Sequence, residues 1–94
     1  LARATQISDR FRTGLSALES DCPIIREVRT AGLMIGIELT IDGAPIVADC
    51  LEKQLLVNCT QQCVIRLLPA MTLTDQQIDD GCEVLADVLK KHST

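Results

Sequence analysis

The residue of this chain best suited to chemistry is Arg66, set in the middle of an apolar, strand-like run, Val64-Ile65-Arg66-Leu67-Leu68-Pro69. Strand side chains alternate with a period of two, so Arg66 shares a face with Val64 and Leu68 and has apolar neighbours. A guanidinium stays charged at any ordinary pH and carries its N–H donors in a planar fork. A half-buried one therefore meets a carboxylate, carbonyl oxygens or a phosphate. Two readings follow. Arg66 pairs with one of the chain's own carboxylates or snorkels from an edge strand; or it clamps the carboxylate of a ligand.

The remaining reactive side chains make no constellation able to run a reaction unaided. Lys53, Lys90 and Lys91 fall near helix ends among polar residues, whereas a Schiff-base lysine needs a sheltered pocket that lowers its pKa. The single histidine, His92, falls in the last helical turn or the tail, and no glycine-rich phosphate loop or Ser/His/Asp arrangement is present. Five cysteines, Cys22, Cys50, Cys59, Cys63 and Cys82, are an odd number without a C-x-x-C pair. Several occupy apolar positions, as buried structural thiols do. Cys59 and Cys63 could share a metal only across a tight turn, so no metal site is expected.

These residues are carried by a short series of elements. Ile7, Phe11, Leu15 and Leu18 recur at helical spacing and predict a helix over residues 2–19, with Leu1 in the same pattern, ended by Ser20-Asp21-Cys22-Pro23. Ile24 to Arg29 reads as a strand, and Thr30-Ala31-Gly32 as the turn into a second. In that second strand Leu33, Ile35, Ile37 and Leu39 line a core face, while Met34, Gly36, Glu38 and Thr40 line the other. A glycine in mid-strand costs stability unless a packed helix or a neighbouring domain approaches the backbone closely, and a helix pressing on Gly36 is the expected reason. Pro45 opens a helix whose inner stripe is Ile46, Val47, Cys50 and Leu51, ending near Lys53-Gln54. Leu55 to Asn58 is the third strand, Thr60-Gln61-Gln62 a turn, Val64 to Leu68 the fourth strand, and Ala70 to Leu73 an extended connection. Thr74 with Gln77 forms a capping-box signature, and Ile78, Cys82, Leu85 and Leu89 give a last helix from about Asp75 to Lys91.

The order α-β-β-α-β-β-α predicts an α+β fold, a small and largely antiparallel sheet of about four strands with helices on one face. With 94 residues the chain reads as one domain, marginal by itself. It opens at Leu1 without an initiator methionine and is read as a piece of a larger protein. Hydrophobic residues at 47% and charged residues at 23% exclude a disordered composition. The net charge of −4 and scattered basic residues argue against nucleic acid or anionic membrane as partners. No apolar run approaches the ~20 residues of a membrane span, so a cytoplasmic location is expected.

Three stretches go further. Arg29-Thr30-Ala31-Gly32-Leu33-Met34-Ile35-Gly36-Ile37-Glu38, then Leu55-Leu56-Val57-Asn58, then Val64 to Pro69 resemble, in order and spacing, the carboxy-terminal segment of class III pyridoxal-phosphate aminotransferases. The resemblance covers nearly all of the chain. It implies the carboxy-terminal small domain of an enzyme that moves an amino group from acetylornithine or a similar ω-amine to 2-oxoglutarate, with a place in arginine biosynthesis. It also implies a homodimer, with pyridoxal 5'-phosphate and its lysine held by a large domain outside this chain, so that the 94 residues alone are inactive. Arg66 matches the family's arginine that grips the substrate's α-carboxylate. The chain departs from the family pattern at Thr30 and Gln54, where glycine is usual, and at Ala70, where a second proline is usual. Beside this stand two other readings, a free-standing regulatory domain that binds an amino acid through Arg66, and a purely structural interaction domain.

Overall fold

A computed structural model describes residues 2–93; Leu1 lies outside them. The elements are α1 (Ala2–Asp21), β1 (Ile25–Ala31), β2 (Met34–Leu39), α2 (Ala44–Glu52), β3 (Asn58–Thr60), β4 (Val64–Leu67) and α3 (Asp75–Lys91). Every strand pairing is antiparallel, and the sheet runs β1-β2-β4-β3. The expected α+β fold and its element order are therefore present.

Alternation decides which side of that sheet the helices cover. Ile35, Ile37 and Leu39 of β2 and Ile65 and Leu67 of β4 are buried, as are Ile7, Phe11, Leu15 and Leu18 of α1. Ile78, Cys82, Leu85 and Leu89 of α3 complete the same core. Each fully buried side chain of this kind contributes about 1.5–3 kcal/mol. α1 lies on β1 and β2, α2 lies beside β3, and α3 packs on both α1 and α2. The helices approach closely at Gly14, where an added Cβ would come within 2.8 Å of Cys82 Sγ. Burial pushes the Cys82 thiol up to about 11, and Cys50 is raised for the same reason. These thiols are core residues, chemically quiet at neutral pH.

Gly36 has another explanation than the one expected. It lies on the face opposite the helices, and a Cβ there would meet only Val64 Cγ1, at 3.9 Å. No helix among the described residues presses on it.

Several boundaries differ from the sequence reading, each for a local reason. The first hairpin pairs Ala31 with Met34, so its turn is Gly32-Leu33 with Gly32 at φ 58°, and Leu33 is only partly buried. Thr30 is an ordinary strand residue and carries no positive φ. The second hairpin turns at Gln61-Gln62-Cys63, and pairing counted from that turn sets Thr60 against Val64 and Asn58 against Arg66. The third strand is thus Asn58–Thr60 rather than Leu55–Asn58. Met71 and Thr72 form a turn, closed by Leu73 N–H to Ala70 O at 3.2 Å, where an extended connection was expected. Leu51, expected on the inner stripe of α2, is 61% exposed.

The start of α3 and the ends of α2 and α3 are chemically explained. Thr74 accepts from the Gln77 backbone at 3.1 Å while the Gln77 side chain accepts from Thr74 N–H at 2.9 Å, completing the capping box. α2 ends with Gln54 N–H bonded to Leu51 O and Leu55 N–H bonded to Cys50 O, the paired bonds of a Schellman motif. That motif needs a left-handed residue, and Gln54 takes φ 66°. His92, expected in the last helical turn or the tail, is the C-cap of α3 and places Nε2 2.6 Å from Asp49 Oδ2 on α2, with Lys91 Nζ 3.4 Å from the same oxygen.

Two measurements test these ends. Gln54→Gly relieves the side chain's left-handed strain and should stabilise the fold by about 0.5–1 kcal/mol in urea unfolding; a loss of stability would show that Gln54 makes compensating contacts. The His92 hydrogen bond, followed by Lys91, holds the Asp49 carboxyl below the usual carboxylate range. A lowered folded value gives stability that is full above the ordinary carboxylate range, about pH 4, and fades as pH falls through it toward the folded value. Unfolding of Asp49→Asn across a pH series should therefore lose less stability on acidification than wild type. Parallel curves would remove Asp49 from the acid response.

Candidate functional site

Opposite the helices, strand register assembles a row of residues across the sheet. Arg29 pairs with Gly36, Gly36 with Arg66, and Arg66 with Asn58, so β1, β2, β4 and β3 each place one residue on this line. Beside it runs a second row of Glu27, Glu38, Val64 and Thr60. Successive residues on each strand face opposite ways, so burying Ile35, Ile37, Ile65 and Leu67 sends Met34, Gly36, Val64 and Arg66 to this side.

The acids and bases of the face are unevenly matched. Glu38 Oε1 is 3.2 Å from Arg29 Nη2, and its Oε2 is 3.4 Å from Arg26 Nη1. Arg29 also approaches Glu27, at 3.7 Å. Arg66 is half-buried and has no carboxylate partner among the described residues; its neighbour is the Met34 thioether. The internal salt bridge considered from the sequence is therefore not formed.

Two hollows open on either side of this guanidinium. One, of about 480 Å³, is walled by Met34, Leu56, Val57, Asn58, Arg66, Leu67 and Leu68. The other, of about 280 Å³, has Gly36 in its floor between Arg29 and Arg66. Arg66 and Met34 border both. Leu56 and Leu68 stand at the rim, 84% and 77% exposed. The result is a fixed positive charge with free donors, set in a largely apolar concavity, which is an arrangement suited to a carboxylate on a short carbon chain.

Other reactive groups stay away from this face. Lys53, Lys90 and Lys91 are exposed, and no lysine lines either hollow. The residues present do not fit a cofactor held through a lysine. Among the described residues no group of three or more His, Cys, Asp or Glu could hold a metal ion, and no helix is long and apolar enough to cross a membrane. Cys59 is partly buried, with Sγ 3.3 Å from Gln62 O.

Sequence reasoning singled out Arg66 but passed over Met34 and Asn58. Met34 was already legible as an outward residue of the alternating strand. Only the β2–β4 pairing, a contact between distant stretches, brings it beside Arg66.

Comparison with known proteins agrees with this architecture. The acetylornithine aminotransferase of Caldanaerobacter subterraneus subsp. tengcongensis is 38% identical over 82 residues, covering 86% of this chain and 21% of that protein. The ornithine aminotransferase of Staphylococcus carnosus is 35% identical over 86 residues, covering 92% of this chain and 21% of that protein. Among solved structures, the ornithine aminotransferase of Toxoplasma gondii, with partial occupancy of PLP at its active site, matches with a TM-score of 0.86 at 27% identity. That match covers 95% of this chain and 22% of the other. The chain thus spans about a fifth of the length of the curated relatives it matches. Residues 1–89 fit the aminotransferase class-III family throughout, and on sequence and fold together the chain belongs to that family.

Proposed function

We propose that these 94 residues are the carboxy-terminal, substrate-gripping domain of a larger, homodimeric class III aminotransferase that passes an amino group from acetylornithine or ornithine to 2-oxoglutarate. Arg66 carries the reading. It is a guanidinium with no carboxylate of its own among the described residues, bordering two hollows on the open face of the sheet. Pyridoxal phosphate and the lysine that holds it are assigned to polypeptide outside this chain. The contribution made here is orientation.

A planar fork can take both oxygens of a carboxylate, which fixes the direction as well as the position of the bound amino acid. Holding the carboxylate limits the motions of the amino-bearing carbon, and that lowers the entropic part of the barrier. The same grip serves the 2-oxo acid, whose carboxylate is unchanged by loss of the amino group. Support for acetylornithine or ornithine as donor comes from relatives of both names, at 38% and 35% identity.

The test is steady-state transamination by the full-length protein, wild type against Arg66→Ala, with acetylornithine and ornithine as alternative donors. Truncating a desolvated charge clamp costs about 2 to 5 kcal/mol, so kcat/KM should fall by about thirtyfold to several thousandfold. Circular dichroism should be unchanged, because Arg66 lies outside the core. A wild-type kcat/KM in Arg66→Ala would leave the arginine with no part in substrate binding.

A further inference from the structure

The Arg66 guanidinium is held from one side. The Met34 thioether sulfur sits against the Nε–Nη2 edge of the fork, in contact with both nitrogens. Register explains why this residue and no other does so. Gly36 is directly opposite Arg66 and offers no side chain to block the way across β2. From Gly36, Met34 lies two residues along β2 in one direction and Glu38 two residues in the other, all three on the open face. Arg66 leans toward the sulfur. Both oxygens of Glu38, the alternative, are within 3.4 Å of Arg26 or Arg29.

We propose that Met34 is a positioning residue for Arg66. It seats the Nε–Nη2 edge and leaves Nη1, with the outward hydrogen of Nη2, as the fork that receives a substrate carboxylate. This rests on the reading of Arg66 as the carboxylate grip. Thioether sulfur suits the task because it is a weak and uncharged acceptor. It orders the guanidinium without cancelling its charge, whereas a carboxylate at the same place would form an internal ion pair and compete with the ligand. The unbranched methionine chain also adapts its shape to the two hollows it borders. Arg29 and Arg26, by contrast, draw Glu38 away and prevent that competition from the other side of Gly36.

The experiment uses the full-length enzyme loaded with pyridoxal phosphate and compares wild type, Met34→Leu, Met34→Glu and Arg66→Ala. KM for 2-oxoglutarate, kcat, and inhibition by glutarate, a dicarboxylate that cannot accept an amino group, are measured for each. Leucine keeps the volume and loses the acceptor, so the fold should hold. Met34→Leu should raise KM and the glutarate inhibition constant together by about three- to tenfold while kcat stays within about twofold, as expected for a weak sulfur contact that orders a binding group. Met34→Glu should weaken glutarate binding nearly as much as Arg66→Ala. Unchanged glutarate inhibition in Met34→Leu, or a fall in kcat without a change in inhibition, overturns the positioning role even where Arg66→Ala is severely impaired. Glutarate binding that is unaffected in Arg66→Ala removes the carboxylate grip itself, and the role of Met34 falls with it.

Discussion

Everything on the open face depends on one constraint, the two-residue period of a strand whose other face must be buried. Ile35 and Ile37 on β2 and Ile65 and Leu67 on β4 share a single buried core with the inner faces of α1 and α3. A one-residue slip in the β2–β4 pairing would carry these side chains to solvent and bury a guanidinium in their place, at a cost comparable to the whole stability of a domain, about 5–15 kcal/mol. Hydrophobic burial therefore fixes the register. The register in turn sets Arg66 between Gly36 and Asn58 and brings Met34 to its side. The site needs no folding device of its own; it is the reverse side of the core.

That dependence also explains which parts of the molecule were legible in the sequence. α3 was readable to its limits, Asp75 and Lys91, because every signal was local: a capping box, an apolar stripe and charges suited to the helix dipole. The face assignment of β2 was readable for a similar reason. The third strand was misplaced because Leu55-Leu56-Val57 has strand-like composition, while the Schellman bond from Leu55 N–H to Cys50 O commits the chain there to ending a helix. Non-local contacts were harder still. The bond between His92 and Asp49 joins residues 43 positions apart, and nothing in either neighbourhood announces it.

Gly36 shows how a sound local argument can reach the wrong partner. A mid-strand glycine does signal a missing side chain that matters, and the usual cause is an element packed close above it. Here the open space belongs to the outer face, where it separates Arg29 from Arg66 and leaves the floor of a hollow. The departures from the family pattern divide in the same way. Thr30 costs nothing, since its backbone is extended, whereas Gln54 occupies a left-handed position that glycine would take without strain.

The apolar rim around Arg66 bears on how strongly a carboxylate could be held there. An ion pair in open water is worth about 0–1 kcal/mol, because solvent screens it and two side chains must be ordered. Excluding water raises that value, provided the remaining donors stay satisfied. Leu56 and Leu68 flank the larger hollow and are the most exposed large apolar side chains of the described residues. Covering them would remove their apolar surface from water and would also dry the guanidinium that lines the same hollow. A charge pair made in such a dried setting is screened less than one in open water.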